Sequence, residues 1–544
     1  MPVQTSYPGV YVEEIPSGVH NIVGVTTATT AFVDFFPQGP MGVPTQVSNY
    51  TEFVTLFGGL DVRSEASYGV MQYYLNGGQT AWIVRVASGT PATAQVLLDA
   101  ASPAQPTLLV QAKSPGVWGE SLQVGIDYNT RPLGDVRFNL VVRRLDSITN
   151  PTKVIVSEIF RNLSMNTTDS LYAVDLVNNA SQLIQLTDEG LGDLPNATAP
   201  DVIATVADPT STDFLQVHDP SHPASDGGTA DYPDGRPDAT AIQAGVDTLA
   251  RIDPYIFNIL CLPAVANFGK PSVPDTASIA ATYQYATSFC QTHRAFMIVD
   301  IPASITGLSN SDPSGIMSWV NVLETNGYTP SSYAAIYFPR LVIPDPLNQM
   351  RPRNVPVSGT MAGIYSATDS SRGVWKAPAG IGAGVGGASL ATIMNDADSG
   401  SINPFGINGL RNFPTYGNVV WGARTMRGAD QMADEWAYIP VRRTANYIEE
   451  SLFEGLKWVV FEPNDYRLWS QIRLNVTSFM QTLFQQGAFQ GASAQSAYFV
   501  KCDGETTTQT DINSGVVNVL VGFAPLKPAE FVVIQIQQMA GQTS

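Results

Sequence analysis

Six residues near the start of the chain, Val10-Tyr11-Val12-Glu13-Glu14-Ile15, read as a short extended strand with breakers on both sides, Tyr7-Pro8-Gly9 before it and Pro16-Ser17-Gly18 after it. Such a strand has no hairpin partner beside it, and a lone strand leaves a row of backbone N–H and C=O groups without bonds. It must pair with something distant, in its own chain or in a neighbour. The other end repeats the arrangement. Pro525-Leu526-Lys527-Pro528 breaks the chain, and Phe531-Val532-Val533-Ile534-Gln535-Ile536-Gln537 reads as a last strand. A chain with an isolated strand beyond a proline-containing spacer at each end is suited to linking copies of itself into a polymer.

Between the two ends the chain is long enough for about three or four domains. With 44% hydrophobic and 14% charged residues it can bury a core and is not a disordered chain. Residues 21–87 together with 239–350 read as an α/β unit. Thr30–Val33 and Thr80–Val86 are predicted strands around a helix over Ser67–Leu75. A helix near Ala239–Ala250 then leads to apolar runs at Ile256–Pro263, Ala295–Asp300 and Ala334–Pro339. Apolar runs that follow helices are the pattern of buried strands covered by helices. Residues 88–200 are richer in Thr, Ser, Asn and Pro, with short strands at Leu108–Val110, Leu122–Ile126 and Val136–Val142, and read as an inserted all-β domain. Residues 201–238, rich in Asp, Pro, Ser and Gly, read as a surface loop or linker. Residues 351–523 form a C-terminal α/β portion whose clearest helix runs over 465–486. There Leu468, Ile472, Val476, Phe479, Leu483 and Phe484 recur at spacings of three and four. The predicted fold class is therefore α/β plus β, multidomain, with terminal strand arms over 1–20 and 524–544.

Chemical motifs are sparse. Gly382-Ala383-Gly384-Val385-Gly386-Gly387 matches a dinucleotide fingerprint, but Pro378 argues against the strand that must precede such a loop, so a flexible or tightly packed loop is expected. Gly269-Lys270 is followed by Pro271, which removes a phosphate-binding P-loop. His218 and His222 lie among acidic residues, but Pro220 and Pro223 prevent the helical geometry that would align both imidazoles, and a solvated loop is expected. Asp300 and Asp345 follow apolar strands, where helix capping or turn formation is the expected role. Cys261, Cys290 and Cys502 form no Cys-x-x-Cys pair and read as buried free thiols of a reducing compartment. The net charge of -19 repels nucleic acid and anionic lipid. The opening residues have no basic region and no apolar run, so no secretory signal is expected, and no stretch reaches the roughly 18 apolar residues needed to span a bilayer. No catalytic, cofactor-binding or metal residue is assigned. The alternative reading is a nucleotide-dependent enzyme on the α/β portion.

Several stretches in fixed order resemble contractile tail sheath proteins, as found in phages with contractile tails, R-type bacteriocins and extracellular contractile injection systems. They are Tyr7–Glu14, Val25–Val33, Ser114–Gly119, Phe257–Pro263, Arg372–Gly380, Ile402–Phe405 and Val459–Asn464. Asp34 departs from the pattern, which leads one to expect Gly there. The resemblance implies a tail-sheath fold and a homo-oligomer of hexameric rings stacked helically around an inner tail tube protein, with baseplate and tail terminator proteins as further partners. It implies no nucleic acid, no direct membrane insertion, no cofactor, and assembly in the bacterial cytoplasm into a virion tail or a released particle. It also implies that the terminal arms add strands to neighbouring subunits. Val10, Tyr11, Val12, Glu13, Phe531, Val532, Val533, Ile534 and Ile536 would form the linking strands, with Pro16, Gly18, Pro525 and Pro528 as hinges. Contraction then requires two packings of nearly rigid bodies. The polar face of helix 465–486, with Arg467 and Arg473, is a candidate contact for the inner tube.

Overall fold

The structure is a computed structural model that describes residues 21–100, 105–130, 136–190, 193–252, 257–270 and 273–535. Its centre is an eight-stranded sheet. In chain order the strands are β1 (Thr30–Asp34), β2 (Thr45–Val47), β3 (Ala81–Arg85), β4 (Ile259–Cys261), β5 (Phe296–Val299), β6 (Ala334–Phe338), β7 (Ile407–Phe413) and β8 (Gly417–Trp421). Across the sheet they lie in the order β2-β3-β1-β4-β5-β6-β7-β8. The six central strands are parallel, in register at Thr30 opposite both Ala81 and Ile259, while β2 and β8 close the two edges antiparallel.

The apolar runs are continuous because both faces of this sheet are covered. Side chains alternate between two cores. Ala31, Val33, Val84, Leu260, Met297 and Ile336 enter one core. Helices α3 (Ala239–Thr248), α4 (Thr276–Thr292) and α5 (Ile316–Thr325) cover that side. Phe32, Ile83, Ile259, Phe296, Ala335 and Tyr337 enter the opposite core, under α1 (Tyr50–Phe57), α2 (Glu65–Leu75) and α6 (Ser358–Arg372). Helices α2 and α6 touch backbone to backbone, so that a Cβ built on Gly359 would stand 2.2 Å from the carbonyl oxygen of Gly69. Only glycine fits such an approach.

The region between β3 and α3 folds as two antiparallel sheets. One joins Gln95–Asp99, Pro106–Ala112 and Ile184–Asp188; the other joins Leu215–Gln216, Leu122–Asp127, Phe138–Leu145 and Val154–Leu163. Leu108, Val110, Leu122, Val124, Leu140 and Val142 fill the space between them. The expected all-β character is incomplete, since Ala173–Ala180 is a helix whose Ala173 and Val177, four apart, pack into that core. The stretch read as a loop or linker, 201–238, is also more than a linker. Val202 and Phe214 pack on Val141, and buried Arg143 donates to the carbonyls of Asp208 (2.6 Å) and Ser211 (3.1 Å) while its guanidinium lies over the Phe214 ring. Its apolar anchors are too few and too irregular to show as a period.

The C-terminal lobe contains α7 (Ile439–Gly455), α8 (Tyr466–Gln485) and a ribbon of two antiparallel strands, β9 (Tyr498–Lys501) and β10 (Leu520–Phe523). Ile448, Leu468, Ile472, Val476, Phe479, Met480 and Leu483 form its core. Among the described residues, no helix is long and apolar enough to cross a membrane.

Candidate assembly surface

The C-terminal lobe exposes what a packed core would hide. Helix α8 begins where Asp465 accepts the backbone N–H groups of Arg467 (2.9 Å) and Leu468 (3.0 Å), a side-chain cap. Its buried face is the one the spacing predicts, with Asn475 and Met480 added and Phe484 only half-buried. Its outer face carries Arg467, Ser470, Gln471, Arg473 and Leu474. Residues 466–502 hold three basic residues, Arg467, Arg473 and Lys501, and no acidic one, within a chain of net charge -19. The two candidate arginines are used differently. Arg467 lies beside the Tyr466 ring and bonds its hydroxyl, whereas Arg473 donates from Nη1 to the Cys502 carbonyl of the ribbon (3.0 Å). Arg473 therefore also braces the ribbon against the helix, a contact that helical periodicity does not show.

The ribbon pairs Tyr498 with Phe523 and Lys501 with Leu520. A Cβ on Gly522 would stand 2.2 Å from the Phe499 ring, so glycine makes room for that ring. Among the described residues the ribbon has two strands only. Past it, Phe531, Val532, Val533 and Ile534 are 76–81% exposed. Of the strand expected over 531–537, residues 531–535 join no ladder among the described residues, and 536 and 537 lie outside them. Of the spacer, Pro525 forms an isolated bridge with Phe489 and Pro528 lies in the irregular stretch that follows. Val10, Tyr11, Val12, Glu13, Pro16, Gly18 and Ile536 lie outside the described residues.

The places where an α/β enzyme keeps its chemistry are occupied by packing. In an open parallel sheet, ligands sit at the carboxyl ends of strands where the order reverses, here β1 and β4. Beside that place, at the end of β3, Arg85 is fully buried and donates to the carbonyls of Gly39 (2.8 Å) and Pro37 (3.2 Å). Gly116 and Asp226 of the inserted region close over it. Asp34, at the end of β1, accepts the N–H groups of Phe35 and Ala66 (both 2.7 Å), and burial pushes its carboxyl up to about 7 against those bonds. Asp300 accepts the N–H groups of Val357 and Ser358 (both 2.9 Å) at the start of α6, and burial pushes it up to about 6. Asp345 accepts the Leu347 N–H (2.9 Å). Both are caps, as expected from the sequence. Burial drives the Cys261 thiol well above its usual range, so it is not a ready thiolate. The glycine-rich loop lies along β8, with Val420 N–H bonded to the Ala383 carbonyl (3.0 Å) and Val385 N–H to the Asn418 carbonyl (2.8 Å). His218 pairs with Glu120 and His222 with Asp219 in exposed positions, and no cluster of three metal-ligating side chains occurs among the described residues.

The lobe that carries the exposed helix face and the two-stranded ribbon is the part of the chain with a recognisable family. Residues 431–539 match the phage tail sheath C-terminal domain. The matched stretch begins just before α7 and includes α8, the ribbon and the exposed end. Over 192 residues, 35% of the chain, the sequence is 27% identical to the tail sheath protein of Vibrio phage KVP40, and the match spans 27% of that protein's length. The likeness of fold extends much further. The sheath of an extracellular contractile injection system, the PVC sheath complex in its contracted state, matches 99% of this chain and 99% of its own with a TM-score of 0.54 at 21% identity. The helical sheath of the anti-feeding prophage in its contracted state matches 98% of this chain and 100% of its own, with the same TM-score at 23% identity.

Proposed function

We propose that the chain is the structural subunit of a contractile sheath. It polymerises into a helical tube around an inner tail tube and contracts to drive that tube through a target envelope. One observation carries the reading: four consecutive apolar residues, Phe531 to Ile534, stand 76–81% exposed a few residues past a ribbon that has two strands among the described residues. Burying apolar side chains of this size is worth about 1.5–3 kcal/mol each, so leaving them in water is costly unless another chain covers them. A strand donated to a neighbour's ribbon covers them and bonds its own backbone in one step. The arm over residues 1–20 supplies the second link, through Val10–Glu13, with Pro16–Gly18 and Pro525–Pro528 as spacers. Links of this head-to-tail kind do not close on themselves and give a helical filament. Hexameric stacking, an inner tube met by α8, and baseplate and terminator partners belong to the same proposal. So do the division into an α/β sheath unit, an outer inserted region and two arms, and assembly in the bacterial cytoplasm.

The test is removal of residues 531–544, or of 1–15, followed by negative-stain electron microscopy. The full chain is expected to form tubes, and each truncated chain a folded monomer. Normal tubes from either truncation overturn the proposal.

A further inference from the structure

Residues 524–530 cross from the ribbon to the edge of the eight-stranded sheet as a strap tied at both ends. The near end is held by backbone: Ala524 N–H donates to the Ala497 carbonyl (2.8 Å), and Gln490 N–H donates to the Ala524 carbonyl (2.9 Å). The far end is held by one side chain. The Glu530 carboxylate accepts from Arg424 Nε (2.9 Å to Oε1) and from Nη2 (2.6 Å to Oε2), a side-on, two-point ion pair. Arg424 lies three residues past the end of β8, and its remaining nitrogen Nη1 is fixed by the carbonyls of Asn403 (3.1 Å) and Gly428 (3.0 Å) and by Asp430 (2.6 Å). The two paired side chains are only 7% and 15% exposed. Leu526, Lys527 and Pro528 wall a cavity of about 1020 Å³ that also meets Trp375 and Trp421. Immediately past Glu530 the chain is exposed.

We propose that the Glu530–Arg424 pair is a lock that holds this strap closed over the cavity in the single chain, and that its release lengthens the C-terminal arm. Charge-assisted, two-point pairs with Arg are the strongest side-chain bonds available for such a hold. The sheet side of the lock is preformed, because Arg424 is positioned by groups other than Glu530. The strap side is weak, because a short proline-containing crossing has no ladder of its own. Loss of Glu530 leaves Arg424 still paired with Asp430, so the strap can open without stranding a buried charge. Release frees residues 526–530, five more residues of reach, or up to about 17 Å at full extension. An arm with a short locked length and a long free length would keep a link intact while subunits move. That consequence rests on the proposed sheath function; the lock itself does not.

The test is the rate at which a maleimide labels a cysteine placed on the buried cavity wall by Ala377→Cys, the three native cysteines being buried, in the full unassembled chain, with Glu530 kept or changed by Glu530→Ala, Glu530→Gln or, as a control on the same strap, Lys527→Ala. Labelling is expected to be about tenfold faster with Glu530→Ala, faster by an intermediate factor with Glu530→Gln, and unchanged with Lys527→Ala. Unchanged labelling with Glu530→Ala, or an equal rise with Lys527→Ala, overturns the lock. Because the readout is the single chain, failure to form tubes counts against the sheath function and leaves this result standing.

Discussion

Asp34 and Arg85 face each other in register at the ends of β1 and β3, and each is buried for a different task. Arg85 holds its guanidinium on two backbone carbonyls. Asp34 caps α2 and holds the turn after β1, bonds that favour the ionised form, yet burial outweighs them and nearby Glu65 adds to the rise. The pH consequence has a definite sign. A carboxyl at about 7 when folded and near 3.8 when unfolded binds more protons in the folded state between those values. Its stabilising contribution is complete below pH 3.8 and is lost as pH rises through 7. Asp300, raised to about 6, acts in the same direction. The wild-type chain is therefore expected to be more resistant to urea at pH 5 than at pH 8, and Asp34→Asn to shrink that difference without abolishing it. Urea midpoints of both proteins at the two pH values check this, and a Asp34→Asn difference as large as wild type's contradicts it. No sequence pattern marks the position except that the family resemblance leads to Gly there.

Elements were legible where their periodicity is driven by burial. The strands of the sheet appear as apolar runs because both faces are covered, and α8 appears because its core face repeats at three and four residues. The helix at Ala173–Ala180 was missed because eight residues give barely two turns of signal, and residues 531–535 read as a strand because strand propensity does not say which chain supplies the partner. The outer face of α8 was legible only as polar; that Arg473 also braces the ribbon came from the fold. This division bears on the role of the helix. If α8 meets an inner tube of opposite charge, reversing Arg467 and Arg473 to Glu removes the only basic residues of the helix. Charges at exposed positions contribute about 0–1 kcal/mol to folding, so the monomer's melting temperature is expected to change little in Arg467→Glu and to fall somewhat in the double variant, which also loses the Arg473 bond to the Cys502 carbonyl. The extended sheath is expected to lose stability, because steering and partner choice depend on charge complementarity. Arg467→Glu alone leaves the ribbon brace intact and separates the two roles. Sedimentation of tubes assembled with and without the tube protein reads the outcome, and unchanged stability of the extended form in the double variant counts against a tube contact.

At the scale of the whole molecule, neither which strands neighbour one another nor how the inserted region closes over Arg85 could be read from the sequence. Both depend on pairings across long stretches of chain, and β1 lies between β3 and β4 although the whole inserted region separates those two in sequence. What the sequence suggests is an unusual property of the ends, a strand without a local partner bracketed by breakers, and the proposed sheath function rests on it. That property gives the molecule a direction. In the proposed sheath each subunit would offer an arm at one site and accept one at another, so the two roles are separable by truncation. A chain lacking residues 531–544 keeps its ribbon and can accept a strand, but it cannot donate one from that end. Mixed at about one part in ten with the full chain, it is expected to join growing tubes and halt them, since a head-to-tail filament extends only through subunits that do both. Mean tube length, measured by electron microscopy, should fall several-fold as the truncated share rises, while the fraction of chain in tubes falls much less. If the truncated chain were simply misfolded it would be left out, and tube length would be unaffected at that ratio. If the arm were dispensable, tube length would also stay constant, but the truncated chain would be found inside the tubes; a mass tag on the truncated chain distinguishes the two and shows whether direction resides in the arm.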